Sequence, residues 1–426
     1  MTGSVIFYKA ANVTEITTQA LLAAIGTNEG TLAGKYILLN DIPLIEGNVG
    51  FDGDGWLPIG NPSLPFTGVF EGNSHKITNL QINRPFGDYV GLFGAIASAK
   101  IKNLGVEIAL GKKIKGSNNV GGIAGAIYDD SYIINSYSTG SIEGNGGVGG
   151  IVGVFESRFG FGYSSNITNS YSTGDISGND HVGGIAGIVR NKGLIANSYS
   201  TGDISSDNYV GGIAGAIEGN SLIADSYSTG DISGNKYYVG GIAGHVSVSS
   251  ITSSYSTGNV RSIDGNVGGI AGVISYGNVA DSYSTGSISG NELVGGIAGV
   301  ISYGNVTNSY SIGSVSGNNH IGGIAGAADG AIVKNNAAIN QSIVGIHDIN
   351  RIIGVAATTT ASYNFASNIT YGFTFIEGDV SSGESKDSNK FFDKATYETD
   401  LGWDFASIWK ISSDKNNGYP QLIWQD

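Results

Sequence analysis

Two short phrases return along this chain at a nearly constant interval, and this period constrains the fold more than any other feature. The valine of VGGIAG stands at positions 120, 148, 182, 210, 239, 267 and 294, and an isoleucine takes its place at 321. The tyrosine of SYS stands at 137, 171, 199, 227, 255, 283 and 310. Most intervals are 27 to 29 residues, and one is 34. Two markers that keep one period predict a stack of equivalent structural units.

Each unit contains short β-branched runs separated by Gly and Asn, a pattern typical of strands and turns. A β unit of about 28 residues fits one coil of a solenoid, whereas a propeller blade needs about 40 to 45 residues. We therefore predict an all-β fold, a parallel β-helix with about three short strands in each coil. The winding is expected to be right-handed, the commoner type of large β-helix. Both ends are expected to be capped, because a solenoid otherwise exposes unpaired strands.

A comparison of successive units predicts which side chains face the core. In the repeated pattern Ile123-x-Gly125-x-Ile127 the large residues alternate around a glycine, so the isoleucines are expected to face inward. The glycine is expected to leave room for a neighbour's side chain, and the GG before Ile to mark a corner. In earlier units Leu80 and Leu104 take the place of a serine of SYS. The serines are therefore expected to face inward and the tyrosines outward.

The outward positions are expected to form rows along the solenoid. The tyrosine row consists of Tyr137, Tyr171, Tyr199, Tyr227, Tyr255, Tyr283 and Tyr310. Stacked rings would contribute about 0.5–1.5 kcal/mol per pair, and the same row could bind a ligand. A second row contains Asp175, Asp203 and Asp231, for which we weigh a solvated polar row, a weak Ca²⁺ site and a catalytic role. Asn or Asp two residues before most of the tyrosines indicates a corner that needs left-handed backbone.

One unit is six residues longer than its neighbours. Its insertion, ESRFGFGYSS at 156–165, places aromatic residues in a glycine-rich loop where the core does not need them. Either a packed surface flap or a ligand-binding loop would explain this composition. The residues that would bind are Arg158, Phe159, Phe161 and Tyr163.

Four regions are expected along the chain. Residues 1–34 would form an N-terminal cap with a short helix in TEITTQALLAAIG, capped by Thr14 or Thr17 and stopped by Gly26. Residues 35–116 would form the opening coils, with the first near Tyr36, and residues 117–344 the repeat coils. Residues 345–426 would form the last coils and a C-terminal cap that includes FFDKATYETDLGWDFASIWKI.

Composition narrows the classes of function. The net charge is −14 with only 21 basic residues, which argues against nucleic acid and against insertion into anionic membranes. The chain has no cysteine, so thiol catalysis and thiolate metal sites are excluded. A P-loop needs the sequence GK[ST] after its glycines, and this chain does not contain it. MTGSVIFYKA is not a signal peptide, and we expect a mature exported chain without its export signal.

The phrase VGGIAG, followed by I-x-NSYSTG-x-ISG, resembles the GLUG motif, which is named for a Gly-Leu-aliphatic-Gly core. The resemblance covers the whole chain, since WLPIGNPSLPFTGVFEGNSHKITNLQI and WKISSDKNNGYPQL are similar to the usual start and end of such arrays. It implies a bacterial surface or secreted solenoid, as in adhesin-like proteins and IgA-type metallopeptidases. The H-E-x-x-H of those peptidases is missing here. The histidines are His75, His181, His245, His320 and His347.

These observations predict a non-catalytic bacterial protein, extracellular or on the cell surface, that acts as an adhesin or as the stalk of one. Its partner would be a glycan or protein receptor on a host or neighbouring cell, reached through the outward rows or the inserted loop. No cofactor is expected beyond a weakly bound Ca²⁺. The chain would be a monomer or part of a larger surface protein. The alternatives are a polysaccharide lyase or hydrolase on the same scaffold and an ice-binding solenoid with a threonine row.

Overall fold

The computed structural model describes residues 12–156, 164–368, 379 and 381–425. These residues wind into a parallel β-solenoid, which confirms the predicted all-β fold. A strand of one coil pairs with the equivalent strand of the next, so that Tyr171 lies beside Tyr199 and Ile176 beside Ile204. The backbone hydrogen bonds therefore run along the solenoid axis, and neighbouring coils lie about 4.8 Å apart.

The strands form five ladders, which we number in the order in which the chain visits them. Ladder 1 contains Val13–Ile16, Lys35–Leu38, Val69–Glu71, Lys100–Lys102, Tyr132–Ile134, Asn166–Thr168, Leu194–Ala196, Leu222–Ala224, Ser250–Thr252, Asn278–Ala280, Asn305–Thr307, Ile332–Lys334 and Thr360–Ser362. Ladder 2 contains Ile42–Pro43, Lys76–Leu80, Gly105–Ile108, Tyr137–Thr139, Tyr171–Ser172, Tyr199–Ser200, Tyr227–Ser228, Tyr255–Ser256, Tyr283–Ser284, Tyr310–Ser311, Ala337–Ala338, Phe365–Ser367 and Glu384–Lys386. Ladder 3 contains Phe51–Asp52, Gly55–Trp56, Ile82–Asn83, Lys113–Lys115, Ser141–Glu143, Ile176–Gly178, Ile204–Ser206, Ile232–Gly234, Val260–Ser262, Ile288–Ser289, Val315–Ser316 and Ile343–Val344.

Ladders 4 and 5 complete each coil. Ladder 4 contains Asn118–Gly121, Gly146–Gly149, Asp180–Gly183, Val210–Gly211, Tyr238–Gly240, Asn266–Gly268, Glu292–Gly295, Asn319–Gly322 and His347–Asn350. Ladder 5 contains Phe93–Ala97, Ala124–Tyr128, Val152–Glu156, Ala186–Val189, Ala214–Glu218, Ala243–Ser247, Ala271–Ser275, Ala298–Ser302, Ala325–Asp329 and Ile353–Ala357. Outside the ladders, Trp409–Lys410 pairs antiparallel with Gln421–Leu422.

Each repeat coil has five short strands where the sequence predicted about three, because corners interrupt the extended backbone more often than the pattern revealed. Ladders 1 and 2 are separated by a corner row whose φ angles lie between 47° and 51°. Its members are Asn135, Asn169, Asn197, Asp225, Ser253, Asp281 and Asn308. Asn and Asp tolerate left-handed backbone better than other non-glycine residues, which explains the composition of this row.

The glycine pair of VGGIAG forms the corner between ladders 4 and 5, as expected. The glycine that follows in ladder 5 has a different role from the predicted one. A Cβ on Gly125 would lie 2.5 Å from the backbone carbon of Tyr89 in the preceding coil. This glycine therefore leaves room for a neighbour's backbone and not for a side chain, and it lets two coils approach closely.

The core combines apolar rows with two rows of serine. Each of the five ladders contributes fully buried isoleucines or valines to the core, and both serines of each SYS face them, as the sequence predicted. The first serine of each pair is hydrogen-bonded: Ser198 N donates to Ser226 Oγ at 3.2 Å, and Ser226 Oγ donates to Ala224 O at 2.7 Å. The second serine, Ser228, has a buried hydroxyl without a hydrogen-bond partner among the described residues.

This difference predicts opposite outcomes for the same substitution at two neighbouring serines. Ser226→Ala should lower the free energy of unfolding by about 1–3 kcal/mol, because the buried Ser198 N–H loses its acceptor. Ser228→Ala removes a buried hydroxyl that has no partner, so it should be neutral or slightly stabilising. Urea denaturation of both variants measures the difference. An equal loss in the two variants would contradict this assignment.

Two short helices lie near the N-terminus. The first, α1, is Gln19–Ala23, and its N-cap is Thr18, whose Oγ1 accepts from Leu21 N at 3.3 Å. The prediction of Thr14 or Thr17 as the cap was wrong by one to four residues, because Thr14 already belongs to a strand of ladder 1. The second helix, α2, is Glu29–Leu32.

Ladder 1 begins earlier than the sequence predicted. The strand Val13–Ile16 pairs in parallel with Lys35–Leu38, so the first rung lies inside the region assigned to the N-terminal cap. The helices α1 and α2 lie in the connection between these two rungs. Leu22 of α1 and Leu32 of α2 are buried in the solenoid core, which is how the connection covers that end.

After the last strand of ladder 2, the C-terminal segment, residues 388–425, turns back along the outside of the solenoid. It contains the short helical turns Ser388–Phe392, Thr396–Asp400, Asn416–Gly418 and Ile423–Gln425. Its aromatic residues form a second apolar core with the outer face of ladder 2. The segment was expected to cap the end, but its tryptophans lie along the flank as far back as Tyr227.

Candidate functional site

The tyrosine row is the most regular outward feature of ladder 2. Its seven rings face away from the solenoid core and stack on one another, with centroid separations of 4.8 to 5.0 Å and interplanar angles of 3° to 7°. This confirms the predicted outward orientation and the stack. It also limits ligand binding, because each inner ring has a neighbour on both faces. The row therefore presents ring edges and hydroxyl groups rather than open aromatic faces.

The C-terminal segment covers one end of this row. Tyr310 is fully buried beneath Trp403 and Trp409, whose centroids lie 6.1 and 5.9 Å from its own. Gln425 Nε2 donates to Tyr283 Oη at 2.6 Å. The cover ends at the indole of Trp424, 5.7 Å from Tyr255 and 6.2 Å from Tyr227.

The uncovered end of the row consists of Tyr137, Tyr171 and Tyr199. Their rings contact one another and Tyr227, and no ring of the C-terminal segment reaches them among the described residues. The exposed side chains of Thr173 and Thr201 lie on the same face. We call this surface the open tyrosine face. Sequence alone did not distinguish it from the covered end, because all seven repeats read alike.

Burial changes the acidity of these phenols. It raises the pKa of Tyr137 to about 12, with the Glu107 carboxylate as the next cause, and it raises that of Tyr227 to about 12. The pKa values of Tyr283 and Tyr310 are also raised, again chiefly by burial under the C-terminal segment. These four tyrosines are therefore neutral throughout the physiological pH range.

These pKa values predict a loss of stability at alkaline pH. Tyrosines of the unfolded chain ionise near pH 10, whereas Tyr137 and Tyr227 of the folded chain keep their protons until about pH 12. The unfolded state therefore binds fewer protons in this window, and the free energy of unfolding should fall as the pH rises from 10 to 12. Urea midpoints across this window measure the effect. Tyr227→Phe keeps the ring but cannot ionise, so its midpoint should fall less; equal slopes would contradict the assignment.

The aspartate row proves to be a backbone acceptor row. Asp203 N donates to Asp175 Oδ1 at 3.1 Å, and Asp231 N donates to Asp203 Oδ1 at 2.9 Å. Each carboxylate thus satisfies an amide of the next coil, and the three side chains are exposed and spread along the axis. Within the described ranges, no group of three or more acidic or histidine side chains could hold a metal ion. The weak calcium site weighed from the sequence at these aspartates stays a prediction.

The remaining predicted binding residues, Arg158, Phe159, Phe161 and Tyr163, fall in 157–163 and lie outside the described residues.

Sequence reasoning missed an aromatic and histidine cluster near the corner of ladders 4 and 5. The His181 ring stacks on Tyr209 at 4.4 Å, and Tyr238 lies between Tyr209 and His245, 5.0 and 5.4 Å from them. Burial lowers the pKa of His245, which replaces the alanine and valine of the adjacent rungs. The position before VGG carries His181, Tyr209 and Tyr238 in successive coils, and this was the signal that could have found the cluster.

The opening coils contain a second feature that the sequence did not predict, an open cleft of about 340 Å³. Glu46 and Asp54 line it together with three lysines, Lys112, Lys113 and Lys115. Two of these lysines are paired with Glu143, at 2.5 Å from Lys113 Nζ and 2.6 Å from Lys115 Nζ. Acidic and basic side chains thus line the cleft together.

The coil geometry defines the repeat unit. Comparison with known families shows which motif three of these units match. The family model described as "The GLUG motif" matches residues 178–205, 206–233 and 235–261. These repeats are GLUG motifs. Each matched GLUG repeat is one complete coil, which begins and ends at ladder 3. The β-solenoid of this chain thus contains three GLUG repeats, in residues 178–205, 206–233 and 235–261.

Two curated proteins are similar in sequence to part of this chain. Halomucin of Haloquadratum walsbyi is 36% identical over 149 residues, which cover 33% of this chain and 2% of halomucin. A protein of Evansella cellulosilytica, named as a Gly-rich membrane protein, is 45% identical over 53 residues, 12% of this chain and 6% of that protein. The matched stretches thus span only a small part of either relative.

Among solved structures, one from Bacteroides ovatus, named as an immunoglobulin A1 protease, aligns with 97% of this chain and 92% of its own. The sequence identity is 18% and the TM-score is 0.32, so this likeness is too weak to support a conclusion about this chain. Across the described residues, no helix has the length and apolar character needed to cross a membrane.

Proposed function

We propose that this GLUG-repeat solenoid is a non-catalytic part of a cell-surface protein, an adhesin or the stalk of one. The observation that carries the proposal is the continuity of the ladders along the array. Ladders 1 and 2 each join 13 strands, so that backbone hydrogen bonds run along the whole array. Thirteen strands at about 4.8 Å give a rod of about 60 Å, a length suited to projecting a binding surface from a cell.

The relatives support a surface location by their names. Halomucin and the Gly-rich membrane protein are each similar in sequence to part of this chain. The receptor in this proposal is a glycan or a protein on a host or neighbouring cell, and the open tyrosine face and the inserted loop are the candidate contact surfaces. Rigidity supports such a role, because a preformed surface loses little conformational entropy when it binds.

A panel of cells, a glycan array and a polysaccharide-cleavage assay together test the proposal. The folded chain should bind at least one cell type or glycan, and it should cleave no polysaccharide. A heat-denatured sample of the chain, added at the same concentration, serves as the control for unspecific binding. Saturable binding that requires the folded chain supports the adhesin, and turnover of any polysaccharide would refute the non-catalytic assignment.

The cleft of the opening coils supplies the specific alternative, an enzyme that cleaves acidic polysaccharides. Glu46 and Asp54 could act as acid and base there, while the lysines attract an anionic substrate. In that case Asp54→Asn should abolish turnover, whereas Asp231→Asn, in the acceptor row, should leave it unchanged. Turnover that survives Asp54→Asn would place the reaction elsewhere.

A further inference from the structure

The C-terminal segment shows how a polypeptide binds the tyrosine row. Two indoles donate to carbonyl groups of the corner that precedes ladder 2: Trp424 Nε1 to Ser253 O at 3.1 Å and Trp403 Nε1 to Asn335 O at 2.8 Å. Both acceptors have left-handed backbone, with φ of 47° and 58°. The same type of contact is thus made at two rungs that lie three coils apart.

Carboxamides make the second type of contact. Gln425 Nε2 donates to Tyr283 Oη, and Asn416 Nδ2 donates to Tyr310 Oη, both at 2.6 Å. These contacts use the hydroxyl groups and edges of the stacked rings, which are the parts that stacking leaves available. The tyrosine row and its corner therefore accept a segment that offers an indole N–H and a side-chain amide at suitable intervals.

The same arrangement continues on the open tyrosine face. Tyr137, Tyr171 and Tyr199 repeat the stacking distances of the covered rungs, 5.0 and 4.9 Å. The corner residues beside them, Asn169 and Asn197, have φ of 51° and 49°, as the covered corners do. The open face is therefore geometrically equivalent to a surface on which this chain already places a peptide segment.

We propose that the open tyrosine face binds a polypeptide segment of a partner protein that carries tryptophan and a carboxamide side chain, in the manner of Ile423–Gln425. This inference rests on the proposed adhesin function and specifies its partner. A polypeptide fits better than a glycan, because sugar rings bind on open aromatic faces and the inner faces of this row are occupied by neighbouring rings. Indole and amide donors instead reach the hydroxyl edges and the corner carbonyls.

The probe is a fluorescent peptide with the sequence of residues 416–425, NNGYPQLIWQ, added to the full chain. We expect saturable binding in fluorescence anisotropy. Tyr171→Ser should weaken the affinity about tenfold, because one rung loses its ring and hydroxyl. Tyr276→Ser is the matched control, since Tyr276 stacks with Tyr303 on another corner at 5.2 Å and is 64% exposed. A probe with alanine in place of its tryptophan should not bind.

A second variant guards against a folding defect in Tyr171→Ser. Thr173→Lys leaves the stack intact but places a long charged side chain at an exposed position of the open face, and it should also weaken the affinity about tenfold. Binding that is absent, or that persists in both variants, would overturn the inference. A glycan that binds the chain and is lost in Tyr171→Ser, without peptide binding, would assign the face to sugars. If cells still bind while the peptide does not, only this inference fails and the adhesin proposal stands.

Discussion

Gly212→Ala is expected to lower the free energy of unfolding by about 3 kcal/mol, the upper end of the range for overpacked cores. Gly212 is the second glycine of a VGGIAG corner. A Cβ there would lie 2.1 Å from the carbonyl oxygen of Gly241 in the next coil and 2.4 Å from Ser228 Cβ across the core. Neither atom belongs to the far end of a flexible side chain, so two coils would have to separate.

Gly53→Ala is the matched control for this effect. Gly53 has open space around its Cβ position, and its backbone is not in the left-handed region, so its substitution should change stability by less than about 0.5 kcal/mol. Urea midpoints of both variants, followed by circular dichroism, give the comparison. If Gly212→Ala and Gly53→Ala had the same urea midpoint, the coils could move apart without a loss of stability. The corner would then not be close-packed.

Trp409→Ala is expected to detach the C-terminal segment from the solenoid. The Trp409 ring is fully buried, 4.7 Å from Trp403 and 5.9 Å from Tyr310. Truncation of a buried tryptophan costs about 3–5 kcal/mol, which is comparable to what a segment of this size can gain from one small apolar core. Limited proteolysis should then cleave within residues 388–425, while the repeat coils resist.

Two observations separate this outcome from general unfolding. In the detached state Tyr283 and Tyr310 should ionise at lower pH than in the parent chain, because burial is the main cause of their raised pKa values. Phe392→Ala, at a ring that is 48% exposed, should leave the cleavage pattern of the parent chain. Uniform cleavage of the coils in Trp409→Ala would show instead that the segment and the solenoid unfold as one unit.

The repeat coils could be predicted in detail because each position of the coil recurs in several repeats, and its residues can be compared. The orientation of the tyrosines followed from Leu80 and Leu104, whose apolar side chains mark an inward slot. The corner row followed from the preference of Asn for left-handed backbone. Strand number was harder, since strands of two or three residues leave no period long enough to count.

The position of the C-terminal segment could not be predicted in the same way. Its sequence has no period, and its contacts join residues far apart, such as Trp424 and Ser253, which are 171 positions apart. Only the surplus of apolar aromatic residues signalled a buried role. Nothing in one sequence tells whether such a surplus covers the end of a rod or its side, because both surfaces offer exposed apolar groups and unused backbone acceptors.

The course of the C-terminal segment divides the rod into two parts that should differ in their resistance to a pulling force. The coils from Tyr227 to Tyr310 are joined to one another by the ladders and also by a strap that crosses them on the outside. Among the described residues, no ring of that segment reaches the tyrosines of the coils from Tyr137 to Tyr199. Under a pulling force along the axis, the unstrapped coils should therefore yield first. Such a load would then be absorbed by the stretch that carries the open tyrosine face, while the strapped end keeps its shape.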